Sequence, residues 1–347
     1  MHSLIRGLLV SLLWLQIGNT GRAAPEGGAS PSSDAGPYVH ALWLVHRFGT
    51  AEASDPRNDV RTKATLAKAL AKDGSITVSK VKALMDPSSL AKFAVEGDRL
   101  KPGEVRRALE ADAPASRTRL SSAVAAHAAL LTTSFDMIDE PHRQAGEELV
   151  DWIVENYKPG LPLPVTFVCT GNSRRSILGA TMGNVAASYY GLPEIRCYSG
   201  GTAPTAFNPR TVKALREIGV EIEPNGQQAP RGEPATANPV YHVRWGQAGK
   251  SEDLAPETTE FSKHYADSSN PQKGFAALMV CSEADAGCPV VKGASKRISM
   301  PYLDPKIYDG SPFEAVKYAE RRDDIGRLVL AVMMQARNRL ATAGKLP

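Results

Sequence analysis

Cys169, Arg174, Arg175 and Ser176 fall inside one eight-residue stretch, Cys169-Thr170-Gly171-Asn172-Ser173-Arg174-Arg175-Ser176. A free thiol has a pKa of about 8.5, and nearby cations or a helix N-terminus lower it until the nucleophilic thiolate persists at neutral pH. An arginine six residues on carries a planar fork that clamps two oxygens of a tetrahedral oxyanion. The pair suits attack of a cysteine thiolate on phosphorus or arsenic. Thr170, Gly171, Asn172, Ser173, Arg174 and Ser176 would then form the rim that binds the oxyanion. Ser173 or Ser176 is available to donate a hydrogen bond to the sulfur. The plainer alternative is a buried structural cysteine beside a surface arginine pair.

Two further runs carry chemistry. Leu303-Asp304-Pro305 puts a carboxylic acid on a loop stiffened by proline, suited to protonating the departing oxygen of an ester, although Asp-Pro also serves simple turns. Cys281 and Cys288 lie seven residues apart and can meet only if the segment between them bends or unwinds. They are the obvious pair by proximity, either as a structural disulfide or as unpaired packing residues. The fourth cysteine, Cys197, reads as a small buried hydrophobe on a strand.

These groups need elements to position them. The run from Val165 is apolar and β-branched, predicting a buried parallel strand, and an Ala-rich helix follows near Ile177. A strand that ends in a small polar turn and opens a helix makes an anion cradle, because the first helical N–H groups lack internal acceptors and the dipole places positive charge there. Ile195–Ser199, Phe275–Cys281 and Arg297–Met300 read as further strands. Asn208-Pro209 caps and starts a helix that stops at Gly219. Pro312–Leu340 reads as a long amphipathic helix with Phe313, Val316, Ala319, Ile325, Leu328 and Val332 on or near one face. Glu221–Asn238 is rich in Pro and Gly and reads as a long loop, and Pro239–Trp245 as a strand in an edge ribbon. From Pro164 onward strands alternate with helices, predicting an α/β fold with a doubly wound four-stranded parallel sheet, whose ligands bind at the carboxyl ends of strands.

The remaining chain is less chemical. Met1–Ala23 has a basic start, an apolar run from Leu8 to Ile17 and a small-x-small end, the pattern of a secretory signal peptide, with an uncleaved anchor as the alternative. The organisation expected is a signal peptide over 1–23, a flexible linker over 24–37, a helical region over 38–122 and the catalytic domain over 123–343. Within the helical region, the turns at Asp73-Gly74 and Gly97-Asp98 faintly echo calcium loops. Ala69, Ala71 and Lys80 then stand at ligand positions of the first, and Phe93 and Val95 at those of the second, so neither is expected to hold calcium. Export implies a periplasmic or secreted protein. The net charge of +4 is small and scattered and argues against a nucleic-acid partner. Apart from the signal, no run is apolar enough to span a bilayer, so no stable membrane insertion is expected.

Cys-x5-Arg-Ser with Gly171-Asn172 inside it resembles the active-site loop of the low-molecular-weight protein tyrosine phosphatase superfamily. The gaps from Cys281 to Cys288 and from Cys288 to Asp304 are similar to those of its thioredoxin-coupled arsenate reductases. The resemblance runs from about Ser134 to Leu340 and includes Asn208-Pro209. It implies that Cys169 is the nucleophile, Asp304 the general acid, Cys281 the resolving thiol and Cys288 the thiol whose disulfide a thioredoxin-like reductant reopens. The substrate implied is arsenate or, in the phosphatase branch, a phosphate ester. A catalytically silent oxyanion-binding module is a third possibility. The departures are Arg174, where many members carry another cysteine, and Ala180, where some reductases place a carboxylate for a potassium ion. No such ion is therefore expected, and no other metal or cofactor is expected either. Lys306–Gly310 also lacks the aromatic pair that frames phosphotyrosine, and Gln227–Asn270 is extra to the basic fold.

Overall fold

A computed structural model describes residues 35–230, 237–247 and 256–346. The expected signal peptide and most of the linker lie outside the described residues.

The N-terminal part has its own small core. Helices α1 (Pro37–Phe48) and α2 (Asp59–Ala69) precede two turns whose strands, β1 (Ile76–Thr77) and β2 (Arg99–Leu100), pair antiparallel before α3 (Pro102–Ala111). Leu42, Leu66, Ile76, Met85, Leu100 and Val105 pack together beneath that ribbon. Gly74 (φ +79°) and Gly97 (φ +61°) take the left-handed turns, where a side chain would be strained. The carboxylates beside them act as turn caps: Asp73 accepts from the Ser75 amide at 3.0 Å and Asp98 from the Ser79 amide at 2.8 Å.

Helices α4 (Ser122–Leu131) and α5 (Glu140–Asn156) lead into the catalytic part. β3 (Leu163–Cys169) is followed by α6 (Arg175–Tyr190), β4 (Ile195–Gly201) and α7 (Pro209–Arg216). Asn208 caps α7 by accepting from the Arg210 amide, and Gly219 turns the chain just beyond it at φ +89°.

After α7 the chain departs from expectation. Glu221–Asn238 is not one long loop, because its first half is strand β5 (Glu221–Gln228), and Pro239–Trp245 is not an edge ribbon. β6 (Pro239–Arg244) is the central strand of an antiparallel sheet whose other edge is β7 (Glu257–Glu260). Pro224 and Gly226 mimic a loop signal. A solvent-facing edge strand tolerates both, and the register slips between Pro224 and Gln228 where they sit.

β8 (Phe275–Met279) is buried throughout and leads to the six-residue helix α8 (Ser282–Gly287), then β9 (Ala294–Ser299). These two strands complete a four-stranded, wholly parallel sheet in the order β4-β3-β8-β9, as the alternation of strands and helices predicts. The last element is the 29-residue α9 (Glu314–Thr342). It lies along α5 and α6, and its buried face starts at Tyr318. Phe313 and Val316, expected on that face, are each 62% exposed, because the first turn of α9 lies beside the Asp304 loop rather than over the sheet. Among the described residues no helix is long and apolar enough to cross a membrane.

Candidate active site

β3 delivers Cys169 to the carboxyl edge of the sheet, opposite Gly201 of β4, and buries it. The chain then loops through Thr170–Arg174 into α6. The loop carbonyls of Thr170, Gly171 and Ser173 accept from the amides of Ala203 (2.8 Å), Thr205 (3.0 Å) and Asn208 (3.0 Å). A peptide plane points its N–H opposite its C=O, so the amides that follow these carbonyls face the inside of the loop. The amides of the first turn of α6 add to them, since helix geometry gives them no internal acceptor. The result is a cup of donors around Cys169 at the positive end of a helix.

A directed chain of hydrogen bonds ends on the sulfur. The Lys263 backbone amide donates to Asn172 Oδ1 at 2.8 Å, which fixes the orientation of that side-chain amide. Asn172 Nδ2 must then donate to Ser176 Oγ, also at 2.8 Å. Ser176 Oγ lies 3.1 Å from Cys169 Sγ, and its proton is free to turn to that sulfur when the sulfur is a thiolate, which can only accept. Of the two serines considered from the sequence, Ser176 is the one in contact. Asn172 is fully buried and is the one non-glycine residue with positive φ (+43°) among the described residues. Asparagine tolerates that conformation better than most residues.

Arg175 is 6% exposed. Its Nη1 donates to the Tyr302 carbonyl at 2.9 Å and its Nη2 to Asp304 Oδ2 at 2.8 Å. Its Nε is buried with no partner, a donor whose desolvation an oxyanion in the cup would relieve. Asp304 caps the short helical turn Pro305–Tyr308 through the Lys306 amide, so Pro305 and this cap fix the carboxylate at the rim. The Arg174 side chain reaches toward α9: Nε donates to the Tyr318 hydroxyl at 3.0 Å, which in turn donates to Asp309. Burial, with the Asp309 carboxylate, pushes the Tyr318 phenol up to about 12, against the opposing pull of Arg174. Arg174 thus braces the loop against α9, while its Nη1 stays 3.9 Å from Asp304 Oδ2 at the rim.

Cys281 is fully buried at the N-cap of α8, where its sulfur accepts from the Ala284 amide at 3.3 Å. Thr170 Oγ1 lies 3.5 Å from it, so the second thiol abuts the cup. Burial pushes the Cys281 thiol up, opposed by the Thr170 and Ala284 hydrogen bonds and by Arg175. Cys288 stands at the other end of α8, half-buried, its thiol donating to the Val290 carbonyl at 3.3 Å. All four cysteines are unbonded. Cys197 lies away from the cup on β4, and burial drives its thiol up to about 12. Among the described residues no three His, Cys, Asp or Glu side chains cluster as a metal site.

Sequence reasoning missed Ser262, Lys263 and Tyr302. Lys263 and Tyr302 act through backbone atoms that carry no residue signature, and Ser262 joins from the same inserted segment by donating to the Gly171 carbonyl at 3.1 Å.

Residues 164–237 match the family model described as low molecular weight phosphotyrosine protein phosphatase. An arsenate reductase 2 of Staphylococcus epidermidis is 23% identical over 153 residues, covering 44% of this chain and 86% of that protein. An arsenate reductase of Halalkalibacterium halodurans is 25% identical over 166 residues, covering 48% of this chain and 91% of that protein. Among solved structures, a low molecular weight protein tyrosine phosphatase from Bacillus subtilis aligns with TM-score 0.31 at 17% identity, over 52% of this chain and 98% of that one. The thioredoxin-dependent arsenate reductase of Corynebacterium glutamicum aligns with TM-score 0.25 at 14% identity, over 65% of this chain and 84% of that one.

Proposed function

We propose that this chain, which belongs to the low-molecular-weight phosphotyrosine phosphatase superfamily, reduces arsenate through a three-cysteine relay. The observation that carries the reading is the second thiol: Cys281 abuts the cup and Cys288 follows one short helix later.

In this scheme the Cys169 thiolate adds to arsenate and a hydroxyl leaves as water, with Asp304 supplying the proton. Arsenic is still pentavalent. Cys281 then attacks Cys169 Sγ, the S–As bond breaks, and its electron pair stays on arsenic, which leaves as arsenite. A Cys169–Cys281 disulfide remains. Cys288 attacks Cys281, the Cys169 thiolate departs, and the new disulfide is reopened by two electrons from a thioredoxin-like protein. α8 must unwind for this transfer, because it holds the two sulfurs at opposite ends. Its six residues are tied at the Cys288 end by one amide bond to the Ala284 carbonyl and by Arg297. The enzyme acts after export, with Met1–Ala23 removed; N-terminal sequencing of the protein from cell fractions tests that placement.

The test is arsenite release from arsenate with a thioredoxin system. Activity is expected in the native protein and loss in both Cys281→Ser and Cys288→Ser; no release by the native protein overturns the reading. The pH dependence has a definite sign. A raised Cys281 thiol is less ionised than a free one, so the arsenite-forming step in single turnover is expected to keep speeding up as pH rises past about 8.5, where a free thiol would already be half ionised. Mass spectrometry of the Cys169–Cys281 disulfide follows it.

A second reading is a phosphatase for aryl phosphate esters. It is favoured by the direct contact of Arg175 with Asp304, which forms without either downstream cysteine. Turnover of an aryl phosphate by Cys281→Ser at the native rate, without arsenite release by the native protein, selects it.

A further inference from the structure

The segment Phe261–Tyr265, from the chain that the sequence marks as extra to the basic fold, is built into the site at two points. Lys263 fixes Asn172, as above. Beyond it, Tyr265 reaches Cys288: the thiol lies 4.0 Å from the Tyr265 hydroxyl. The placement is rigid. The Gly201 amide donates to the Lys263 carbonyl at 2.9 Å and the Tyr265 amide to the Gly201 carbonyl at 3.0 Å, so the segment extends the parallel sheet past β4. Gly200 leaves the room, since a Cβ there would stand 2.5 Å from the Tyr265 Cα. Asn270 closes the turn by donating to the Ser199 carbonyl at 3.0 Å.

We propose that Tyr265 donates a hydrogen bond to Cys288 once that thiol ionises, holding the thiolate ready for transfer. The inference rests on the relay above. The Tyr265 phenol carries one proton of its own, which can turn to the sulfur once Cys288 has lost its proton. Burial and the neighbouring Cys288 raise the phenol, so it remains a donor at neutral pH. In the exchange, the Cys288 proton passes to solvent and its thiolate bonds to Cys281 Sγ. The Cys281–Cys169 bond breaks, and that electron pair leaves on Cys169; Tyr265 stabilises the attacking thiolate without gaining or losing an electron. The other charged groups at this place are Arg297, which donates to the Cys288 carbonyl and to Asp285, and His264, whose ring lies 4.3 Å from that of Tyr265.

Tyr265→Phe removes only the hydroxyl. In a Cys169→Ser/Cys281→Ser background, buried Cys197 stays unreactive and iodoacetamide reads Cys288 alone, with the modified peptide identified by mass spectrometry. Removing the donor is expected to raise the midpoint of the alkylation profile by about half a pH unit or more, slowing the reaction at neutral pH about threefold. Superimposable profiles with and without the Tyr265→Phe substitution overturn the proposal. In the native background, Tyr265→Phe is expected to lower kcat for arsenite release with little change in KM for arsenate. A shifted profile alongside a native protein that releases no arsenite leaves the Tyr265–Cys288 contact standing and rejects only the arsenate reading.

Discussion

Asn172 answers to three demands at once: positive φ, a donor for Ser176 and an acceptor for the Lys263 amide. Alanine satisfies none of them. Asn172→Ala leaves the buried Lys263 amide without a partner, takes one of the two partners of the Ser176 hydroxyl and strains the loop, so a loss of about 2–4 kcal/mol in urea unfolding is expected. Asn172→Gly relieves the strain alone and is expected to recover part of that loss, while Cys169 still lacks an oriented Ser176. Cys169, Arg175 and Asp304 were legible in the sequence because they are defined by side-chain chemistry and by spacing along one turn or one loop. The choice of Ser176 over Ser173 was not. It depends on which way an asparagine amide faces, and a backbone N–H 91 residues away decides that. The Arg174–Tyr318 contact was hidden for a similar reason, since that acceptor is 144 residues distant.

At the scale of elements, α6 is set by how near it lies to the sheet. A Cβ on Gly179 would stand 2.2 Å from Phe167 Cδ1, and one on Gly183 would stand 2.6 Å from Cys197 Sγ. Helix propensity alone favours alanine at both positions by about 1 kcal/mol. The clash decides the sign: Gly179→Ala is expected to destabilise by about 1–3 kcal/mol in thermal or denaturant unfolding. Adding Phe167→Leu is expected to recover part of it in a double-mutant cycle. A shifted α6 would also move its N-terminus, so kcat should fall with stability in the single variant and return with it in the double. The parallel strands were legible because strands buried on both faces are continuously apolar, as β8 is. β5 was not, because seven of its eight residues face solvent at least in part and only Ile222 is buried. With one buried position there is no alternation to read, and Pro224 and Gly226 supply a false signal. The exposed first turn of α9 was misjudged because helical periodicity reports which residues share a face but not how far the neighbouring layer extends.

Across the whole molecule, two cores meet through polar contacts and through rings, with Trp43 packed on the larger core and His46 stacked on Phe135 at 5.3 Å. Trp43 donates to Thr132 at 2.7 Å, Lys63 pairs with Asp136, Arg47 bonds Asn338, and Asn338 donates back to the His46 carbonyl at 2.9 Å. Asn338→Ala removes both of its contacts to α1. Hydrogen exchange is expected to speed up across residues 37–111 by about tenfold, equivalent to about 1.4 kcal/mol of docking, while exchange in β3 and β8 holds. Equal acceleration in both parts would mean that they unfold as one unit. The composition of residues 38–122 announced helices but no partner surface, since the docking groups are single polar and aromatic residues scattered among helical ones. α9 touches both parts, meeting Arg174 through Tyr318 near its start and the first helix through Asn338 near its end. Twenty residues of unbroken α-helix between them span about 30 Å. One straight lever arm therefore joins the leading helices to the arginine that braces the loop, and α5 and α6, packed along its length, are what hold that arm in place.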